Sequence, residues 1–243
     1  MQPVEIMRAT EAIGSIGSAF LFHPDTVARG KQEGLDGFRF YILGRGGVLG
    51  DVEPAVVHAA FGYFHTGLID KMWRSASEKV APRDAARLYQ GCAHDLGRAK
   101  LADVVGLDSF VDATTQIIES VEGVSLPLFA GMRAEPVPAD APGAAMHQAM
   151  VLRELRGSVH LLALTATGLG SPIAHAIKRP GDVQLFGYEE APELNDDDRA
   201  KWERAEALTD ELLTPAYATL SDQQAQALVT ATQAIASAFG IDP

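Results

Sequence analysis

The chain has 243 residues, a hydrophobic content of 47% and a net charge of −12, which is enough length and apolar content for a packed core. The longest apolar runs fall far short of the roughly 20 residues that a membrane-spanning helix needs, and the first residues do not read as a signal peptide. The single cysteine, Cys92, excludes an intramolecular disulfide and favours a reducing compartment. We therefore expect a cytoplasmic protein with no membrane partner.

The charge is unevenly distributed along the chain. Residues 1–100 carry 12 basic and 11 acidic side chains, whereas residues 101–243 carry 8 basic and 21 acidic ones. Affinity for nucleic acid comes mostly from Lys and Arg side chains that neutralise phosphates. The excess of acidic groups therefore argues against a nucleic-acid partner.

The first half of the chain predicts a series of short helices. Apolar residues at helical spacing predict a first helix over residues 2–15, and Pro24 interrupts the pattern because the residue before a proline is disfavoured in the α conformation. The glycine-rich residues 44–50 predict a turn. Further helices are expected at residues 25–32, 37–44, from 51 past 64, 82–100 and from 108 onwards, and a break near Gly67 is left open for the one that begins at 51.

Three prolines in residues 133–143 predict an extended connector. The longest helix is expected over residues 144–167, a shorter one from Ser171, and another over residues 198–213. A capping box at Ser221 begins a last amphipathic helix, and we expect its apolar face to pack in a homodimer.

These elements predict an all-α protein with two helical halves. The abundance of alanine and the low aromatic content, 7%, favour close helix packing over a β-sandwich. We place an N-terminal helical domain at residues 1–132, the connector at 133–143 and a C-terminal helical domain at 144–243.

The most informative segment lies in the longest predicted helix. Arg153, Arg156 and His160 share one helix face within an otherwise apolar stretch, and buried charges need partners. Glu154 is one candidate partner, and a bound anion is another because the guanidinium fork suits carboxylates and phosphates. Gly157, which lowers helix propensity, suggests a close approach to the backbone. The alternative is a helix edge with exposed arginines and a capped histidine.

Other candidate ligand-binding residues lie elsewhere in the chain. His65 follows the aromatic residues around Tyr63, which could form a stacking wall or simply belong to the core. His175 could meet His160 across the intervening turn. Arg45 lies in the glycine-rich turn, which we read as a loop with little tendency to hold a phosphate. The chain has neither a cysteine pair nor the His-Glu-x-x-His pattern, so we expect no metal site.

The usual catalytic signatures are absent from the sequence. It contains neither a G-x-S-x-G elbow nor a P-loop nor a Rossmann fingerprint between a strand and a helix. The sequence therefore identifies no cofactor and no catalytic residue, and it leaves open whether the protein is an enzyme.

Three stretches carry a resemblance to a known family. They are GLDGFRFYILGRGGVLGDVEPAVVHAAFGYFHTGLI at 34–69, MVLRELRGSVHLLALTATGLGSPIAHAI at 150–177 and WERAEALTDELLTPAYATL at 202–220. Together they resemble a mostly uncharacterised actinobacterial family of helical proteins, classed as helix-turn-helix or MarR-like. The resemblance implies a winged helix-turn-helix-like portion in the C-terminal half. It also implies a shared motif at Arg153, Glu154, Arg156, Gly157, His160 and His175.

One interval departs from that family. The family has an extra helix and a hairpin before the helix that begins near residue 202, whereas residues 181–201 here contain three consecutive aspartates and no hairpin pattern. The wing is therefore expected to be missing, which weakens the implied regulator function.

The residues favour a small-molecule-binding protein with a pocket between its two halves. The expected ligand is anionic with an apolar body. Two alternatives remain open, namely an enzyme that uses His160 or His175 as general base in the same pocket and a transcriptional regulator of the helix-turn-helix type. The candidate ligand-binding residues are Arg153, Glu154, Arg156, His160, His175, His65, Arg45 and Tyr63.

Overall fold

The computed structural model describes residues 1–242, and these residues form helices without a single strand. The expected all-α fold is thereby confirmed. A 3-10 turn at Gly47–Leu49 follows the fourth helix. The α-helices are α1 Pro3–Ala9, α2 Ala12–Ile16, α3 Pro24–Gln32, α4 Gly37–Gly46, α5 Pro54–Phe61, α6 Thr66–Ser77, α7 Pro82–Leu101, α8 Leu107–Glu119, α9 Pro127–Arg133, α10 Ala141–Thr167, α11 Ser171–Lys178, α12 Asp196–Tyr217 and α13 Asp222–Phe239.

Helix α10 is the central element of the fold. The Asp140 side chain caps its N-terminus by accepting a hydrogen bond from the Gly143 amide, and Gly168, with φ of 71°, ends it in the left-handed conformation that glycine adopts most readily. Helices α2, α7, α8, α9 and α12 all pack against it. Most of its residues are therefore buried, which explains why its apolar pattern runs around almost the whole helix.

One hydrophobic cluster joins residues from both halves of the chain, from Ile6 in α1 to Ala236 in α13. A smaller cluster joins the end of α10 to α11 and α12. The predicted connector is reduced to residues 134–140, because α10 begins three residues earlier than expected. The division into domains stays a prediction, and the two halves share most of their core.

Two predicted helices are divided. The first breaks near Thr10, whose hydroxyl donates to the carbonyls of Ile6 and Met7; such local bonds compete with helix continuation. The second breaks at Gly62, where φ is 57°, so that α5 ends and α6 starts anew at Thr66. This second break lies beside the site described below.

The C-terminal helices begin at the caps that the sequence indicates. Asn195 and Ser221 each form a capping box, and residues 179–195 before α12 contain neither helix nor strand. The apolar face of α13 packs against α8 within the chain, with Leu228 and Ile235 fully buried. A homodimer stays a prediction, and its interface would have to use a surface other than this buried face of α13.

In the part of the chain that the structure describes, every helix is too short or too polar to span a bilayer.

Candidate functional site

A cavity of about 910 Å³ lies between the first two helices, α4, the C-terminal part of α10 and α12. Residues of the turn after α5, of α11 and of the irregular segment after it complete the wall. Its size falls in the range of small-molecule sites, which are typically 300–1,000 Å³. Cationic and aromatic side chains lie together in its wall, and the Arg45 guanidinium, for example, is 4.3 Å from the centre of the Phe61 ring.

Basic side chains predominate in the cavity wall. Six basic and three acidic residues line it, although the chain as a whole has a net charge of −12. The basic residues are Arg8, Arg45, Arg153, Arg156, Lys178 and Arg179, and the acidic ones are Glu11, Glu206 and Asp210.

A buried carboxylate directly behind the wall fixes two of the arginines. Arg45 donates two hydrogen bonds to Glu154, at 2.9 and 2.8 Å, and Arg153 donates another. Glu154 is only 2% exposed. Burial on its own would raise the pKa of this carboxyl, but the charges and hydrogen bonds of the two arginines outweigh burial and lower it. Glu154 is therefore ionised, and it holds Arg45 and Arg153 in place against the cavity.

Two further cations of the wall lie beside α12. Arg156 donates to Glu206 of α12 at 2.8 Å. The ammonium of Lys178 lies 5.9 Å from the centres of the Tyr63 and Trp202 rings. Its pKa is lowered, first by desolvation and then by the charge of Arg156. An anion placed here would relieve the repulsion among these cations.

Three buried polar atoms in this wall lack a hydrogen-bond partner among residues 1–242. They are the Tyr63 hydroxyl, His160 Nε2 and His175 Nε2. The Tyr63 ring is parallel to that of His160 and edge-on to that of His175, with both centroids 6.4 Å away. Because buried polar groups in folded proteins are nearly always satisfied, this cluster points to a polar group or water that occupies the cavity.

Backbone strain places Tyr63 in this position. Its φ is 55°, which is unusual for a residue with a side chain. A Cβ at the preceding Gly62 would lie 2.3 Å from the Leu161 side chain. The chain therefore turns tightly against α10 here and directs the tyrosine between the two histidines. Strain of this kind persists where the surroundings over-determine it, as they do at many functional sites.

Aromatic side chains form another part of the cavity wall. Phe38, Tyr41, Phe61 and Phe64 line it, with neighbouring centroids about 6 Å apart. Phe186 stacks on Phe64 at 4.3 Å. The surface suits a flat apolar group.

Two helical glycines face the empty space. Gly14 of α2 and Gly157 of α10 both line the cavity, and a Cβ added to either would meet no atom within 4 Å. Neither has a positive φ. Packing within the chain therefore does not explain the absence of a side chain at these positions, although glycine in a helix costs about 1 kcal/mol relative to alanine.

The structure brings six of the eight predicted ligand-binding residues to one cavity: Arg45, Tyr63, Arg153, Arg156, His160 and His175. Glu154 lies behind the wall as their counter-ion. His65 lies outside the cavity, where its Nδ1 accepts a hydrogen bond from the Gly67 amide and its ring contacts Tyr188.

Several residues that line the cavity were not predicted from the sequence. Lys178 follows a predicted helix without any motif, and Glu206 lies on a helix that reads as a solvated acidic face. Phe186 belongs to the irregular segment, which the Phe186 carbonyl ties to the amide of His65. The lack of packing around Gly14 leaves no signal in the sequence beyond the glycine itself.

A second histidine cluster lies on the opposite face of α10. His94 Nε2 and His147 Nδ1 are 3.2 Å apart, and desolvation is the first cause that lowers each pKa to about 4. Within the described residues, no group of three or more His, Cys, Asp or Glu side chains is placed to hold a metal ion. This pair is a neutral, packed contact between α7 and α10.

The fold and the site together define an all-α protein with an aromatic and cationic cavity. Residues 6–184 match a helix-turn-helix family, so the chain belongs to that family. The match includes α10 and α11 and ends before α12, which supplies Glu206. No curated protein and no solved structure shows significant similarity to the chain.

Proposed function

We propose that this protein binds a small organic anion with a flat apolar body in the cavity beside α10. The observation that carries the proposal is the cluster of three unpartnered polar atoms, on Tyr63, His160 and His175, inside a cavity lined mainly by cations. A ligand with an acidic head would satisfy both features at once.

Electrostatics favours a negative charge in the cavity. Glu154 accounts for the charges of Arg45 and Arg153 only in part, since a single carboxylate faces two guanidinium groups. Arg156 pairs with one carboxylate oxygen of Glu206, and the other oxygen lies 3.8 Å from His160 Nε2. A carboxylate or sulfonate would complete the charge balance, and it would interact more strongly here than in water because the site is partly desolvated.

The shape of the cavity favours a flat body. The aromatic side chains provide ring faces, and the bare backbones at Gly14 and Gly157 leave room in the cavity. An aromatic ring that enters between α2 and α10 would bury its surface without displacing a side chain. The hydrophobic gain is roughly 25 cal/mol for each Å² removed from water.

A matched pair of probes tests the proposal. Naphthoate and its neutral amide, naphthamide, have the same body and differ in charge. We expect naphthoate at about 100 times its dissociation constant to raise the unfolding free energy by about 2.7 kcal/mol, and naphthamide to raise it much less. Thermal denaturation at a series of probe concentrations measures both.

A pair of variants locates the binding. Arg156→Gln should weaken the naphthoate effect about tenfold or more in apparent affinity, because it removes one cation from the site. Arg98→Gln is the control, since Arg98 pairs with Asp95 and Asp140 outside the cavity. Equal stabilisation by the acid and the amide, or an equal effect of the two variants, would contradict the proposal.

Family membership favours a second candidate function, a regulator of the helix-turn-helix type, and we propose that it would be MarR-like and actinobacterial. The cavity ligand would then be its effector, and a homodimer would be its binding form. The acidic surplus of residues 101–243 opposes this candidate. Fluorescence anisotropy with DNA from upstream of its own coding sequence tests it, and equal affinity for an unrelated duplex would contradict it.

We further propose a cytoplasmic location, which the single reduced cysteine supports.

A further inference from the structure

The hydrogen bonds around His160 determine which of its ring nitrogens carries the proton. The Thr209 hydroxyl donates to the carbonyl of Ala205 at 2.7 Å. A hydroxyl has only one hydrogen, and we assign it to the shorter contact with Ala205, so that Thr209 Oγ1 accepts the hydrogen bond from His160 Nδ1, which is 3.0 Å away. In this tautomer His160 carries its proton on Nδ1, and the lone pair of Nε2 has no donor among the described residues.

This lone pair is buried and faces a second acceptor. His160 is 2% exposed, and its Nε2 has no hydrogen-bond partner among residues 1–242. The nearest carboxylate oxygen, Oε1 of Glu206, is 3.8 Å away, while Oε2 of the same residue accepts from Arg156. Two acceptors that face each other leave a position that only a hydrogen-bond donor can fill.

Protonation of the imidazole does not fill this position at neutral pH. Desolvation lowers the pKa of His160 to about 4, the charges of Lys178 and Arg156 act in the same direction, and Glu206 opposes them. The ring is therefore neutral, and none of the described residues lies within hydrogen-bond distance of Nε2, so a donor on a bound molecule can take this position.

We infer that the ligand carries a hydroxyl or N–H group that donates a hydrogen bond to His160 Nε2, in addition to the acidic group held by the arginines. The inference rests on the proposed function and narrows it to hydroxylated or N–H-bearing aromatic acids. His160 is the specificity-determining residue, and Thr209 is the positioning residue that fixes its tautomer. The Tyr63 hydroxyl, which lies in the same wall, is available to the acidic or the donor group.

A comparison of each hydroxyl compound with its methyl ether separates the effect of the hydrogen bond from the effect of ligand size. The probes are naphthoate, the hydroxynaphthoate isomers and the matching methoxynaphthoates, titrated by calorimetry into the full-length wild-type protein. A hydrogen bond to a buried acceptor that otherwise stays unsatisfied is worth about a factor of ten in affinity. We expect at least one hydroxynaphthoate to bind about tenfold tighter than both naphthoate and its own methyl ether.

Two variants assign this preference to His160. His160→Phe keeps the ring between Tyr63 and Trp202 and removes the acceptor, so the hydroxyl preference should vanish while naphthoate still binds. Thr209→Val removes the partner of Nδ1, so the preference should shrink. Nitrogen-15 NMR of the free wild-type protein provides a test without ligand, and we expect a neutral His160 with its proton on Nδ1.

The outcomes separate the inference from the proposed function. If naphthoate binds but no hydroxyl isomer is preferred, or the preference survives in His160→Phe, the inference is wrong and the proposed function stands. A proton on Nε2 in the free protein would also overturn the inference. If no naphthoate binds the wild-type protein, the proposed function and the inference fail together.

Discussion

Helix α10 has a closed half and an open half, and the two differ in how fully they are packed. In the closed half, residues 141–151, neighbouring helices approach so closely that a Cβ at Gly17 would lie 2.4 Å from the carbonyl oxygen of Ala149. In the open half, residues 152–162, a Cβ at Gly157 would meet nothing within 4 Å. Both halves contain a buried histidine whose pKa is about 4.

The comparison separates structural from functional use of the same residue types. His147 of the closed half faces another histidine across a packed contact, whereas His160 of the open half faces a cavity lined by cations. Burial, a lowered pKa and an Nε2 atom without a hydrogen-bond partner are shared by both histidines and do not identify a site on their own. The empty space beside His160 and the excess of cations that line it do.

The largest effect is expected at the carboxylate behind the open half. Glu154→Gln keeps the shape of the side chain but leaves Arg45 and Arg153 without a counter-charge. Loss of one partner from a buried ion pair costs about 3–5 kcal/mol, and we expect a decrease of that size in the unfolding free energy measured by urea denaturation.

Glu206→Gln provides the control for that variant. Its side chain is 32% exposed, and a partly exposed pair contributes less than about 1 kcal/mol. Equal losses in the two variants would show that Glu154 has no special role at the cavity wall.

The next effect is a dependence of stability on pH, to which the histidine pair of the closed half contributes. His94 and His147 have a pKa of about 4 in the folded protein and an ordinary value near 6.5. Between these values the unfolded chain binds protons that the folded protein does not, so the unfolding free energy decreases as the pH falls from 6.5 to 4. Each such histidine contributes a slope of about 1.4 kcal/mol per pH unit.

His147→Leu should flatten this slope by about the contribution of one histidine. Urea denaturation at several pH values between 4 and 6.5 measures the slope. An unchanged slope would mean that the closed-half pair takes up its protons without unfolding.

A smaller effect is expected from adding a methyl group in the closed half. Gly17→Ala places its Cβ against the backbone of Ala149, so α2 must shift. Overpacking of this kind costs about 1–3 kcal/mol, which a lower midpoint of urea denaturation would reveal. A decrease in the unfolding free energy of less than about 0.5 kcal/mol would mean that α2 and α10 can accommodate the methyl group.

The smallest effect on stability is expected in the open half. Gly157→Ala should raise the unfolding free energy by up to about 1 kcal/mol, because alanine is the better helix former and the space is empty. Gly157→Leu should keep the fold and weaken naphthoate binding about tenfold or more, since its side chain enters the cavity.

Gly91 is the matched control for Gly157. It lies in α7, and a Cβ there also meets nothing within 4 Å. Gly91→Leu should leave naphthoate binding unchanged. Equal loss of binding in the two leucine variants would contradict the assignment of the cavity to the open half.

Local chemistry made much of the fold predictable. Capping residues such as Ser221 and prolines such as Pro172 act within a few residues, so the starts of the last helices could be read directly. The break at Thr10 was missed because it depends on side-chain bonds. A break in the second helix was considered near Gly67 and lies at Gly62, where it depends on the approach of Leu161, a residue distant in sequence.

The site was predictable only along one helix. Arg153, Arg156 and His160 share a face through helical spacing, which sequence shows. The roles of Glu154 and Glu206 depend on which helices lie opposite, and sequence periodicity contains no such information. His65 follows the aromatic cluster in sequence, but the turn at Gly62 directs it away from the cavity.

The central claim is that the open half of α10 binds an organic anion and the closed half does not. The most direct measurement is a titration of the protein with naphthoate, followed by the backbone amide signals of glycines in a nitrogen-15 NMR spectrum. Our account predicts saturable shifts at Gly14 and Gly157, and none at Gly17 and Gly97, whose Cβ positions are blocked by packing. Shifts of equal size at all four glycines, or no shift at Gly14 and Gly157, would contradict it.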